Sequence, residues 1–154
     1  MEEETALSFR YQGKASSLPY RSTVSAADYA QRDPNVDVTI AFAKPGDGPR
    51  ESPLLAENPA LSGMGGPVRE DADGSPVSVP VGEYVAGAVL FNRENLFGPK
   101  QRLNLYMHEF GHVVGLDHTT QRGEVMMSGR RTQTSWGEED RAGLRAVGYT
   151  RHSC

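Results

Sequence analysis

The sequence predicts an α+β fold, and three stretches carry that expectation. Val36 to Phe42 sets Val36, Val38, Ile40 and Phe42 against Asp37, Thr39 and Ala41, the two-residue period of a strand with one face on a core. Tyr84 to Asn92 is apolar on both faces, as an interior strand is. Leu103 to Val114 places Leu103, Met107, Phe110 and Val114 at spacings of three and four, which reads as a helix with one stripe on the core.

The remaining elements follow from shorter patterns. Ala6 to Tyr11 has moderate alternation and reads as a short strand. Gly13 to Pro19 reads as a loop. Ser25 offers a helix cap with Asp28 in the first turn, so a short helix to Gln31 is expected, stopped by Asp33-Pro34. Residues 44–80 hold seven of the ten prolines and are expected to run over the surface as an insertion. Leu61 to Pro67 is the candidate for an extended segment within it. Asn92 to Pro99 is a turn region. Ser135-Trp-Gly-Glu138 has the spacing of a capping box and should open a last helix from Trp136 to Val147. Ala142, Leu144 and Val147 are its packing residues, and Gly148 is a natural stop.

A chain of 154 residues suits one domain, residues 1–154, with a single core. The composition is 37% apolar and 23% charged with a net charge of −4, which is ordinary for a soluble, mildly acidic protein. No cluster of Lys and Arg suggests a nucleic-acid partner. No apolar run reaches the roughly 20 residues that a membrane span needs. A monomer is expected. The lone cysteine, Cys154, can form no intrachain disulfide. Met1-Glu-Glu-Glu4 lacks the apolar core of a signal peptide.

The chemistry concentrates in His108 to His118, which reads His-Glu-Phe-Gly-His-Val-Val-Gly-Leu-Asp-His, the spacing H-E-x-x-H-x-x-G-x-x-H. On a helix, His108 and His112 lie one turn apart on one face and can reach one metal ion. Gly115 can take a left-handed conformation that ends the helix and lets the chain deliver His118 as a third ligand. Imidazole nitrogens suit zinc, and a catalytic zinc keeps three protein ligands and an open position. Glu109, beside the first ligand, is placed to act as general base. The fourth histidine, His152, reads as a solvated tail residue. Asp71-Ala-Asp-Gly74 faintly resembles a calcium loop, but the later ligands are missing and a polar turn is the plainer reading. One catalytic zinc ion is therefore the expected cofactor, and calcium finds no support in the residues.

His108 to His118, followed by Met126, resembles the metzincin zinc peptidases, and within them the matrixin group. Gly115-Leu-Asp-His118 with Thr119-Thr120, Gly87 to Asn92, and Glu139 to Leu144 are similar to matrixin segments. The resemblance implies a metzincin-like fold, with a mixed, twisted sheet over the zinc-bearing helix and the last helix below. It implies a methionine turn beneath the metal at Met126. It also implies that an edge strand, placed at Leu61 to Val68, binds a polypeptide in extended form. Residues 128–135, with Arg130, Arg131 and Thr132, would line the pocket for the residue just after the cut bond, although they also read as a solvated loop. Secretion is expected on the same ground. This chain departs from the group in two respects. It has no histidine before the helix for a second zinc, and no upstream cysteine to mask the first.

The functional expectation is a zinc metalloendopeptidase with Glu109 as catalytic base and His108, His112 and His118 as metal ligands. The alternative is a non-catalytic zinc-binding interaction module with the same fold. Glu109 weighs against it, since a degenerate site has no need of a carboxylate there. A toxin or processing enzyme with one dedicated target would share the chemistry of the first reading but not its breadth.

Overall fold

The computed structural model describes residues 8–14, 36–46, 51–70, 83–95, 97–129 and 131–150. In chain order the elements are β1 (Val38–Pro45), β2 (Glu51–Ser52), α1 (Pro53–Glu57), β3 (Gly63–Glu70), β4 (Glu83–Asn92), a 3-10 turn (Arg93–Asn95), α2 (Pro99–Val113) and α3 (Glu138–Thr150). The strands form one mixed sheet in the order β2-β1-β4-β3. β1 runs parallel to β2 and β4, and β3 runs antiparallel to β4 with a register shift between Val68 and Arg69. β3 is therefore an edge strand, and Pro67, which has no N–H to donate, is tolerated there. The expected helix Ser25–Gln31, the turn at 71–74, Arg130, His152 and Cys154 lie outside the described residues.

Each face of the sheet has its own core. On one face Ala41, Ala43 and Leu90 meet Leu54 and Leu55 of α1, with Leu61 and Met64 against them. α1 is short but well started. Ser52 accepts a hydrogen bond from the Leu55 N–H, and Pro53 sits in the first turn, where its missing N–H costs nothing. On the other face Val89 and Phe91 meet Val113 of α2, joined by Val38, Leu105, Tyr106 and Phe110. Phe42, Phe91 and Tyr106 form a ring cluster there, with centroids 4.6 to 5.9 Å apart.

Several expectations need correction. Residues 8–11 form no strand; Phe9 instead packs edge-to-face on Phe110 at 5.6 Å, so a ring contact rather than a ladder holds it. β1 has one covered and one more open face, as its alternation implies, and the covered side chains are Ala41 and Ala43 while Ile40 and Phe42 are each 45% exposed. α1 packs on the alanine face through Leu54 and Leu55. The described part of the 44–80 stretch is more than a surface insertion, since it contributes β2, α1, β3 and two buried leucines. α2 starts four residues before Leu103, at Pro99, and Leu103 is 44% exposed. The helix buries two flanks rather than one stripe, because it lies between the sheet and a further cluster. That cluster joins Val114, Val125, Met126, Trp136 and Leu144, with Met107, Leu116 and Val147 against it.

α3 begins at Glu138, and its buried stripe is Asp140, Leu144 and Val147 rather than one including Ala142, which is exposed. Nor is Ser135 the cap. Trp136 is drawn into the core, so the first helical carbonyl is that of Gly137, which accepts from the Arg141 N–H. Among the described residues no helix is long and apolar enough to cross a membrane.

Candidate metal centre

α2 carries His108 and His112 one turn apart, with ring centroids 4.8 Å apart. The helix then stops sharply. The Leu116 N–H donates to the Gly111 carbonyl at 2.9 Å, and the Gly115 N–H to that of His112 at 3.0 Å. This is the Schellman pair of bonds, and it needs Gly115 at φ 102°, where a side chain would be strained. The reversal brings His118 back under the helix. Its Nε2 lies 3.1 Å from that of His108 and 3.2 Å from that of His112.

The structure thus brings together the three histidines singled out in the sequence, and their nitrogens fit a metal ion. Two ligands at about 2.0–2.1 Å from a tetrahedral zinc would stand about 3.3 Å apart, close to the separations here. The other ring nitrogens strengthen the case. His108 Nδ1 donates to the Val125 carbonyl at 2.9 Å, and His112 Nδ1 to the Leu116 carbonyl at 2.8 Å. A carbonyl can only accept, so both protons sit on Nδ1 and both Nε2 lone pairs point inward. Both lone pairs face the Nε2 of His118, and a cation placed among the three nitrogens would be bound by all of them. Burial also holds the pKa of both rings below the usual imidazole range, against the pull of those carbonyls, and so favours the neutral, ligating form.

Glu109 is 6% exposed and lies against the edge strand. Two glycines make this possible. A Cβ on Gly63 would stand 3.0 Å from the Glu109 carboxylate, and one on Gly65 would overlap the Glu109 carbonyl oxygen. Burial pushes the Glu109 carboxyl up from 4.5 to about 7, while a hydrogen bond from the Gly65 backbone N–H draws it down. The carboxylate opens into a cavity of about 480 Å³ shared with the three histidines. Leu61 to Gly65 form one wall, and Ser128, Gly129 and Arg131 form the other. Both walls are anchored. Asn92 and Asn95 donate to the Leu61 carbonyl at 3.0 and 3.1 Å, and Asn104 donates to the Gln133 carbonyl at 3.2 Å.

Met126 is 2% exposed, with its sulfur against the Cα of Gly111, where any Cβ would collide with it. It packs below the helix segment between His108 and His112. Sequence reasoning passed over two residues of this region, Glu124 and Asp140, which are 7% and 3% exposed. Acids in loops and first turns normally face water, so their types carry no hint of burial. The hint available was Gly137, whose missing Cβ leaves room for the Glu124 carboxylate.

A family model described as matrixin matches residues 23–147, most of the chain and the whole of this site. Searches of curated proteins and of solved structures found no match.

Proposed function

Because the chain belongs to the matrixin family, we propose that it is a zinc-dependent endopeptidase that hydrolyses peptide bonds, with Glu109 as general base. The observation that carries this reading is the convergence of three Nε2 atoms in one cleft with a buried carboxylate. Zinc held by His108, His112 and His118 supplies Lewis acidity there, for polarising a carbonyl and acidifying water. Glu109 takes the proton of the water that attacks the peptide carbonyl and returns it to the nitrogen as the C–N bond breaks. The hydrogen bond from Gly65 keeps the carboxylate turned into the cleft. The outer edge of β3 offers its backbone to a polypeptide in extended form, adding a strand to the sheet. The wall with Ser128, Gly129 and Arg131 receives the side chain just after the cut bond. Family membership also supports secretion.

The test is a peptide library incubated with the zinc-loaded chain, with and without a chelator. Cleavage that the chelator abolishes and zinc restores is the expected result. Full zinc occupancy with no cleavage across the library would leave a zinc-binding interaction module as the better reading.

A further inference from the structure

Two asparagine amides meet on one bend of the chain. Asn92 ends β4 and is buried. Its Oδ1 accepts from the Glu94 N–H at 3.0 Å, an Asx turn that opens the 3-10 turn Arg93–Asn95. Three residues make one 3-10 turn, so Asn95 comes round to the side on which Asn92 stands. Asn92 Nδ2 donates to the Leu61 carbonyl at 3.0 Å and, at the longer distance of 3.5 Å, to that of Pro59. Asn95 Nδ2 donates to the same two carbonyls, at 2.7 Å to Pro59 and 3.1 Å to Leu61.

Donors and acceptors match in this arrangement. Each amide nitrogen has two N–H groups and each carbonyl oxygen two lone pairs, so two amides saturate two carbonyls. The Glu94 bond also fixes which end of the Asn92 amide is the oxygen. Two backbone bonds mark the ends of the bend, from the Leu61 N–H to the Asn58 carbonyl at 3.0 Å and from the Asn92 N–H to the Ser62 carbonyl at 2.9 Å. From Gly63 onward β3 has its own ladder to β4, so the amides matter most for residues 59–62. Ala60 stands between the two held carbonyls. It is exposed, lines the cleft beside Leu61 and Ser62, and makes no hydrogen bond among the described residues.

We propose that Asn92 and Asn95 are positioning residues for the substrate, holding residues 59–62 as a fixed extension of β3 that offers the Ala60 peptide groups to a polypeptide in the cleft. The proposal rests on the peptidase reading above and lengthens the binding surface of that site beyond the edge strand. A bend ordered before the substrate arrives loses less entropy on binding than a loose one. The two amide nitrogens donate only to Pro59 and Leu61, so their effect falls on binding, while the histidines and Glu109 keep their own partners.

The experiment uses Asn92→Asp, which keeps an acceptor for the Glu94 N–H but turns a carboxylate oxygen toward the Leu61 carbonyl, and Asn95→Ala, which removes the second amide. Asn95 is only half-buried, so Asn95→Ala serves if Asn92→Asp does not fold. Two fluorescent peptides are made from a cleaved library member, one as long as β3 and one cut back to the residues flanking the scissile bond. Their binding is measured on the zinc-loaded Glu109→Gln background, where they stay uncut. Loss of one or two hydrogen bonds that order the bend corresponds to about a tenfold rise in Kd for the long peptide. The Kd of the short peptide and the zinc affinity should stay unchanged. With Glu109 restored, the same variants should raise KM for the long peptide and leave kcat unchanged. Val38→Ala, on β1 in the core against α2, is the control for instability alone and should bind both peptides as before. An unchanged Kd for the long peptide in either folded variant, an equal rise for the short peptide, or an equal rise in Val38→Ala overturns the proposal. A library that yields no cleaved member at full zinc occupancy overturns the peptidase reading as well, so the two failures are distinguishable.

Discussion

Two backbone carbonyls decide what the histidines can do. By taking the Nδ1 protons of His108 and His112, Val125 and Leu116 leave the Nε2 atoms as acceptors turned toward one point. Glu109 faces the opposite demand, since it must be charged in a place that disfavours charge. Burial raises its pKa toward about 7 from 4.5, and a bound cation draws it back. Cleavage needs the ionised form, so activity falls as pH drops through that pKa. The acid limb of kcat/KM should therefore lie between 4.5 and about 7 at saturating zinc. The residual activity of Glu109→Gln should lack it; a limb of unchanged position there would assign it to another group. Met126 acts by packing alone. Met126→Leu conserves volume and should cost under about 1.5 kcal/mol, with zinc still bound. Denaturant unfolding of that variant checks the figure, and loss of folding would show that the sulfur against Gly111 does more than fill space.

At the scale of elements, the site depends on how closely β3 approaches α2. Gly65 faces the Glu109 backbone with no room for a methyl group, and backbone atoms cannot swing aside as a flexible side chain can. Gly65→Ala should force the strand away from the helix, costing about 1–3 kcal/mol. It should also reduce cleavage more than stability, because the N–H that holds Glu109 moves with the strand. Thermal melts and peptide turnover on one preparation check this, and unchanged turnover would free β3 from that role. This contact was only half legible in the sequence. The extended segment around Leu61 to Pro67 was readable, but not which side of it would meet a helix. β2 and α1 were missed because two and five residues are too few to show a period. Ser52-Pro53 was the available mark of a helix start. The last helix was readable from the capping-box spacing of Ser135 to Glu138, yet its cap was misplaced by two residues, since burial of Trp136 moved the start to Gly137.

Across the whole molecule, the site joins two cores that have little else in common. The sheet holds one side of α2, and the cluster of Val125, Met126, Trp136 and Leu144 holds the other. The ligand set was legible because its members lie within eleven residues and their spacing is local geometry. The support for the ligands was not, since Asp140 acts on backbone atoms 15 and 14 positions away and Glu124 on one 16 positions away. Metal binding to the native state alone should stabilise the molecule. At a free zinc concentration of 100 times Kd the gain is about 2.7 kcal/mol. For a chain of this length that corresponds to roughly 5–10 °C in Tm. Melting curves with zinc and with a chelator measure it, and His112→Ala should abolish the difference. Equal melting temperatures in the unsubstituted chain would contradict a site formed only in the folded protein.

The central claim is that Glu109 performs chemistry beside a metal it does not hold. It is tested most directly by measuring zinc content and peptide cleavage on one preparation of Glu109→Gln. Glutamine keeps the size and hydrogen-bonding capacity of the side chain but cannot take the proton of the attacking water. The expected result is near-full zinc occupancy with turnover lowered by at least about 10²–10⁴-fold relative to the unsubstituted chain. Zinc retained with unchanged cleavage would contradict the account, because the base would then be another residue.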